Sequence, residues 1–385
     1  MAAATVTTLG PVVLPGIHGT HRLEIADGHI IALDQSDEPG GLLALPAFAD
    51  LHVHADRAFA PGPRPPRSLA DAVELVQDIK VRSTDQDVRE RATRLFEKAL
   101  SHGTLRVRTH VDLDEVIGER ALRGVLAARA ALGAQLDVEI VAFATALSDP
   151  RTAEGRQRIV AAIEAGADLI GGAPSLCPEP ASSIGAVLDL ARSLCVPVDL
   201  HLDETVDPAS FWLERLAEET LARGLEGRVT ASHCCSLASV PPEVARRTAE
   251  KVAAADITVI ALPALNLYLQ DRGDDTPRRR GLTLVRELRA AGVRVRFGSD
   301  NVADVFYPYG DADPLEAAFL ASLAAHVDDE EALLAGICDG KTRLEPGDSA
   351  DLVLLPAVSV RDALARRPPV RTVLRAGRLV AGTMP

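Results

Sequence analysis

His52 and His54 are separated by one residue at the end of the apolar stretch Phe48–His54. The stretch reads as a short buried strand, in which side chains alternate between faces. Both imidazoles then point the same way, with Val53 opposite, and two imidazoles on one face at a strand end can chelate one metal ion. The same residue types recur where other short apolar runs stop. His110 follows Thr109 and precedes Asp112. His201 precedes Asp203 and Glu204. His233 follows Ser232, and Asp300 lies in Gly298-Ser299-Asp300-Asn301. The chain has 10 histidines, and half fall at such ends. The others, His18, His21, His29, His102 and His326, lie in terminal segments, a loop or a helical pattern and are expected to be structural or solvated.

Histidine and carboxylate ligands without a thiolate suit Zn²⁺ or Fe²⁺. His52, His54, His201 and Asp300 are the expected ligands, with a position left open for water. A bridging carboxylated lysine at a strand end would argue for two ions. The lysines are Lys80, Lys98, Lys251 and Lys341, all in helical patterns or loops, so one divalent ion is expected. Such an ion brings bound water towards neutral acidity and so yields a metal-bound hydroxide near pH 7. Three residues are then expected to be catalytic. Asp300 accepts the water proton, His233 holds the hydroxide in line, and Glu204 carries protons to a substrate nitrogen. His110 reads either as a partner that orients a ligand from behind or as an inward polar barrel residue.

These residues need a scaffold that gathers strand ends. Eight short apolar runs recur: 48–54, 104–109, 137–143, 167–172, 197–201, 228–232, 257–261 and 293–297. From the second onward most are about 30 residues apart, the length of one strand–helix unit. Segments with apolar residues at steps of three and four lie between them: 71–81, 88–100, 120–132, 155–165, 183–194, 211–222, 242–255 and 282–291. Glycines follow several of these segments, as at Gly133, Gly166 and Gly292, where helices prefer to end. The pattern predicts an α/β fold, a (β/α)8 TIM-type barrel, whose active site lies where the strands end. Short strands also occur near Val12–Leu14, His21–Ile25 and His29–Leu33, and again at Asp351–Leu355, Thr372–Arg375 and Arg378–Val380. Residues 1–45 and 345–385 are therefore expected to build a small β-sandwich domain, and 46–344 the barrel.

The remaining composition limits the function. The net charge of -14 argues against nucleic acid and anionic membranes as partners. No run approaches the roughly 18 apolar residues of a membrane span, and the N-terminus does not read as a signal peptide. The 5 cysteines are odd in number and lack Cys-x-x-Cys spacing, which fits a cytoplasmic protein without a disulfide framework. The cysteines are expected to be small buried apolar residues; Cys234 and Cys235 adjoin His233, and a place in a pocket wall is the alternative for them. Helix 315–326 and acidic residues 328–331 read as solvated faces, with a subunit contact in a homo-oligomer as the alternative.

The segments Leu51–His54, Val107–Asp112, Ile140–Phe143, His201–Glu204, Thr230–His233, Asn266–Arg272, Arg279–Gly281, Phe297–Asp300 and Tyr307–Gly310 together resemble the amidohydrolase superfamily. Within it they are similar to the cytosine deaminase-like enzymes. The resemblance spans almost the whole barrel. It implies a mononuclear iron or zinc barrel with an attached β-sandwich that hydrolyses C–N bonds of nitrogen heterocycles. It also implies His52, His54, His201 and Asp300 as ligands, with Glu204 and His233 assisting. Three departures bear on the substrate. Cytosine-specific members carry a glutamine shortly after the third-strand phenylalanine, where this chain has Ala144-Thr145-Ala146. They carry a second aspartate where this chain has Asn301, and a tryptophan where it has Phe306. Thr145, Asn301 and Phe306 are therefore the expected substrate contacts, and a substrate other than cytosine is implied. The Ser299-Asp300-Asn301 form is also similar to the N-isopropylammelide isopropyl amidohydrolases, which remove substituted amino groups from triazines.

The expected activity is hydrolytic deamination of a cyclic amidine or amino-substituted, pyrimidine- or triazine-like heterocycle, a small molecule. The alternative is ring-opening hydrolysis of a cyclic amide or lactam by the same site. The two differ in product: ammonia or an amine, against a new carboxylate. A non-catalytic metal-binding barrel would not need Glu204, His233 and Asp300 together.

Overall fold

The computed structural model describes residues 6–272 and 281–384, so Arg279 and Arg280 of the sequence resemblance lie outside the described residues. Both ends of the chain contribute to one seven-stranded sheet. Its strands are β1 (Thr7–Val13), β2 (Thr20–Ala26), β3 (His29–Ser36), β4 (Leu42–Pro46) and, from the C-terminus, β13 (Leu352–Leu355), β14 (Thr372–Arg375) and β15 (Arg378–Ala381). β4 is the joint. It runs parallel to β1, with Val12 opposite Leu42, and antiparallel to β13, with Leu45 opposite Val353. The sequence pattern did not mark β4, because Leu42-Leu43-Ala44-Leu45 is apolar throughout and shows no alternation. Such runs are what a strand covered on both faces requires, and residues 43–46 are buried.

The second sheet is the barrel. β5 (Phe48–Val53), β6 (Thr104–Asp112), β7 (Asp137–Ala144), β8 (Leu169–Gly172), β9 (Val198–Leu202), β10 (Val229–His233), β11 (Thr258–Ala261) and β12 (Arg294–Phe297) lie side by side in chain order. Each matches one of the eight expected runs to within a few residues, and neighbours are parallel. Closure between β12 and β5 is made by a bridge pairing Val53 with Asp300. The Asp300 amide there donates to the His52 carbonyl at 2.8 Å.

Helices α1 (Leu69–Arg82), α2 (Asp85–Ser101), α3 (Arg120–Leu132), α4 (Ala153–Glu164), α5 (Pro180–Leu194), α6 (Leu213–Arg223) and α7 (Pro242–Ala254) alternate with the strands. Ser68 caps α1 through the Asp71 amide. Thr84 and Asp87 form a capping box on α2. Gly133, at φ 55°, ends α3 in a conformation that side-chain-bearing residues resist. α8 (Pro263–Leu269) was not signalled by periodicity because it is short. α9 (Val285–Ala290) begins later than expected, because the preceding residues turn inward and Thr283 Oγ1 donates to the His233 carbonyl at 2.5 Å. α10 (Pro314–Ala324), α11 (Glu330–Ile337) and α12 (Val360–Arg366) complete the fold. The main apolar core fills the layer between strands and helices, and a smaller one lies within the terminal sheet. Among the described residues, no helix is long and apolar enough to cross a membrane.

Candidate metal centre and active-site cavity

β4 leads directly into β5, and the Ala47 amide donates to the Asp351 carbonyl at 3.0 Å. The terminal sheet thus anchors the base of the strand that carries His52, and His54 follows just beyond it. β9 carries His201, and β10 carries His233 in a register that sets His201 beside Ser232 and Leu202 beside His233. At the ends of β9, β10 and β12 the backbone turns sharply. Asp203, His233 and Asp300 all have positive φ, at 55°, 66° and 61°. Such strained turns in residues with side chains cluster at functional sites.

The structure brings His52, His54, His201 and Asp300 together, each buried, with their ligand atoms within 4.8 Å of one another. His201 Nε2 lies 3.2 Å from His52 Nε2 and 3.0 Å from His54 Nε2. Asp300 Oδ1 lies 3.6 Å from His52 Nε2 and 3.4 Å from His54 Nε2. Ligands held at roughly 2.1 Å around a tetrahedral ion sit about 3.4 Å apart, so these spacings fit a single small divalent cation. Burial pushes His52, His54 and His201 well below their ordinary pKa, with neighbouring cationic and imidazole groups adding to the effect. The rings are then neutral and have lone pairs to give, as a metal ligand requires.

His110 stands behind this cluster, its Nε2 3.1 Å from His52 Nδ1. For His52 Nε2 to present a lone pair, Nδ1 must carry the proton and donate it to His110. Asp50, which had drawn no attention in the sequence, performs a related task. Its buried Oδ1 accepts from the Ser299 amide at 3.1 Å and the His52 amide at 3.4 Å, and burial raises its pKa to about 6.

His233 is fully buried, and its Nδ1–H donates to Asn266 Oδ1 at 3.1 Å. Its Nε2 therefore faces the site as an acceptor, 3.8 Å from Asp300 Oδ2 and 3.7 Å from Glu204 Oε2. Neither His233 Nε2 nor Asp300 Oδ2 has a hydrogen-bond partner. Burial raises Glu204 to about 8, offset in part by Arg57, and raises Asp300 to about 8, where His233 opposes the shift. A cation in the cluster would favour the ionised form of Asp300.

A cavity of about 650 Å³ opens beside these groups. His201 and Glu204 line it, as do Thr145 and Phe306 of the expected substrate contacts. Asn301 does not line it. Its Nδ2 donates to Asp304 Oδ2 at 2.6 Å, so the carboxamide is engaged away from the cavity. Cys234 and Cys235 do not line it either, which leaves the reading of small buried apolar residues. Both are fully buried, and Cys235 Sγ approaches the Gly281 carbonyl at 2.7 Å. The left-handed turn at His233 and Cys234 carries the two thiols away from the opening.

Sequence reasoning missed Arg57, Gln77 and Asn266. Arg57 lies over the Phe306 ring at 4.5 Å and within 3.5 Å of Asp112. Lys80, considered only as a metal bridge, instead reaches from α1 to Asp112 Oδ2 at 2.6 Å and also meets Asp114. Asn266 stood at the head of a segment carrying the resemblance, which was the one signal available for it. Gln77 and Lys80 share a face of α1 by their three-residue spacing, but nothing local says that this face looks into the barrel mouth.

The chain is similar to known proteins along most of its length. Residues 85–381 match the model of the Amidohydrolase family. A pterin deaminase from Rhizobium rhizogenes is 34% identical, covering 88% of this chain and 81% of that protein. N-isopropylammelide isopropyl amidohydrolase from a Pseudomonas species is 27% identical, over 90% of this chain and 88% of its own. The structure of 5-methylcytosine deaminase from Klebsiella pneumoniae, liganded with 5-fluorocytosine, superposes with a TM-score of 0.90. It is 30% identical and covers 98% of both chains. The chain therefore belongs to the amidohydrolase family, in its cytosine deaminase-like branch.

Proposed function

We propose that this protein is a metal-dependent hydrolase that deaminates an amino-substituted nitrogen heterocycle, with Zn²⁺ or Fe²⁺ held by His52, His54, His201 and Asp300. The observation that carries the reading is the Glu204 carboxyl. It lines the cavity beside His201, lies 3.7 Å from His233 Nε2, and burial favours its protonated form. A carboxylic acid in that state is the proton donor that C–N cleavage needs. Two relatives named as deaminases of nitrogen heterocycles support the same reaction class.

A bound divalent ion supplies acidity, lowering the pKa of a coordinated water towards neutrality. The protein's own groups do the rest. The free Asp300 Oδ2 takes a proton from the attacking water. His233, fixed by Asn266 with Nε2 facing inward, orients that water by hydrogen bonding. Glu204 protonates the ring nitrogen next to the carbon under attack, which gives a tetrahedral centre. Asp300 then passes the water's proton to the amino group, which leaves as ammonia; the proton left on the attacking oxygen returns to Glu204, and the ring keeps a carbonyl. One water is consumed for each ammonia released.

The test is ammonia and amine release by the metal-loaded protein across cytosine, isocytosine, pterin and N-alkylated aminotriazines, repeated with Glu204→Gln. Release that is lost in the variant supports the proposal. Gain of one water without ammonia would instead establish ring opening, and no turnover of any heterocycle with the metal verified in place would sink the reading.

A further inference from the structure

Three exposed apolar side chains surround one opening. Val81, at the end of α1, is 64% exposed; Leu147, after β7, is 51%; and Leu176, after β8, is 47%. Singly exposed apolar residues are ordinary, but several converging on a cavity mark a binding surface. All three line the cavity that holds Glu204 and His201. Glu204 and His201 are almost covered, whereas these three lie at the mouth, so the cavity has an inner polar end and an outer apolar lobe. Its volume of about 650 Å³ falls in the range of roughly 300–1,000 Å³ that accommodates drug-sized ligands. A bare six-membered ring at Glu204 would leave the outer lobe to water against apolar walls.

The cavity wall also presents polar atoms with no hydrogen-bond partner, one of them on α1. Gln77 lines the cavity from α1, and its Oε1 is buried without a hydrogen-bond partner. Its Nε2 makes only a long 3.4 Å contact to the Val73 carbonyl. Arg57 Nε and Asp112 Oδ1 also have no hydrogen-bond partner, but both side chains are engaged in ion pairs, Arg57 and Lys80 each meeting Asp112. A buried carboxamide oxygen left unpaired costs free energy that a ligand donor would recover.

We propose that the substrate extends beyond its reacting ring. An apolar extension, either a fused second ring or a ring substituent, occupies the lobe walled by Val81, Leu147 and Leu176. Gln77 hydrogen-bonds an N–H or O–H group on the side of the substrate away from Glu204. This inference rests on the amino-heterocycle reading above and narrows it. Val81, Leu147, Leu176 and Gln77 are then specificity residues, which act on binding and leave the chemical step alone.

The test compares ammonia or amine release from bare rings (cytosine, isocytosine) with release from a fused bicycle (pterin) and from an alkyl-substituted ring (an N-alkylated aminotriazine). An extended substrate is expected to exceed the bare rings by about 10-fold or more in kcat/KM, and the better of the two extended substrates says which extension fits. Leu147→Ser and Leu176→Ser, both at exposed positions, should raise KM for that substrate by roughly 10-fold. They should leave kcat, the melting temperature and KM for a bare ring unchanged. Gln77→Leu should raise KM in the same way. Equal kcat/KM for bare and extended rings, or variants that leave KM unmoved, would overturn the inference while the deaminase reading stands. No release from any heterocycle would overturn both.

Discussion

The Asp300 amide donates to the His52 carbonyl at 2.8 Å, so the seam that closes the barrel runs through two of the four residues of the metal cluster. Barrel closure and ligand geometry are one arrangement. Asp50 reinforces it from β5 by accepting the amides of both His52 and Ser299. Gly298 completes the seam: a Cβ there would lie 3.0 Å from His52 Cβ and 2.9 Å from Leu262.

Asp50→Ala should loosen both features together. Two buried amides lose their acceptor, at a cost of roughly 1–3 kcal/mol. The variant should melt at lower temperature and lose metal to a chelator at lower concentration than the parent. Thermal unfolding and chelator competition followed side by side check this. A variant with lowered melting temperature and unchanged metal retention would show that Asp50 serves the seam alone.

Asn266 fixes which nitrogen of His233 faces the site. Asn266→Leu removes that acceptor and frees the ring to turn or to change tautomer. The expected result is a fall in kcat on the order of 10²-fold with KM little changed, since general acid–base and orienting groups act on the chemical step. Metal content should not move, because His233 is not among the clustered ligands. A purely structural role would lower the melting temperature and leave the kcat of the folded fraction intact.

The residues clustered here were legible in the sequence wherever a local rule governed them. The two-residue period put His52 and His54 on one face, and apolar runs ending in His201, His233 and Asp300 marked the strand ends. Asn266, Arg57 and Gln77 followed no such rule. They come from a short helix, a loop and the face of α1, and their approach to the cavity depends on how those segments pack over the barrel mouth. Asn301 is the opposite case. Its place in the motif pointed to substrate, but Asp304, three residues on, takes its amide in the folded chain.

Glu204 gives stability a distinct pH dependence. Burial raises its pKa from an ordinary 4.5 to about 8. Below pH 4.5 the group is protonated in both folded and unfolded chains and affects nothing. Between there and pH 8 the unfolded chain releases the proton while the folded one retains it, so stability is lost as pH rises through the folded value. Glu204→Gln, which stays neutral, should therefore melt higher than the parent at pH 8 to 9 in the metal-free protein, with the gap closing towards pH 4.5. Melting temperature across this range, measured on both proteins, tests the assignment. A gap that does not vary with pH would place the ionised carboxylate in a solvated setting.

Metal removal should destabilise the fold as well as abolish activity. The four clustered ligands come from β5 and the residue just after it, from β9 and from the turn after β12, so an ion on them ties together strands remote in sequence. A ligand that binds only the folded chain stabilises it by about 2.7 kcal/mol at a concentration 100 times its dissociation constant. Stripping with a chelator should lower the melting temperature, and stoichiometric Zn²⁺ or Fe²⁺ should restore it. His201→Ala should melt at the stripped temperature and respond to neither treatment. Elemental analysis of the restored parent should give one ion per chain. Two ions per chain would mean that His110 and Asp199, which form a second buried group with His52, bind metal themselves; His110 would then be a ligand rather than the partner that orients His52.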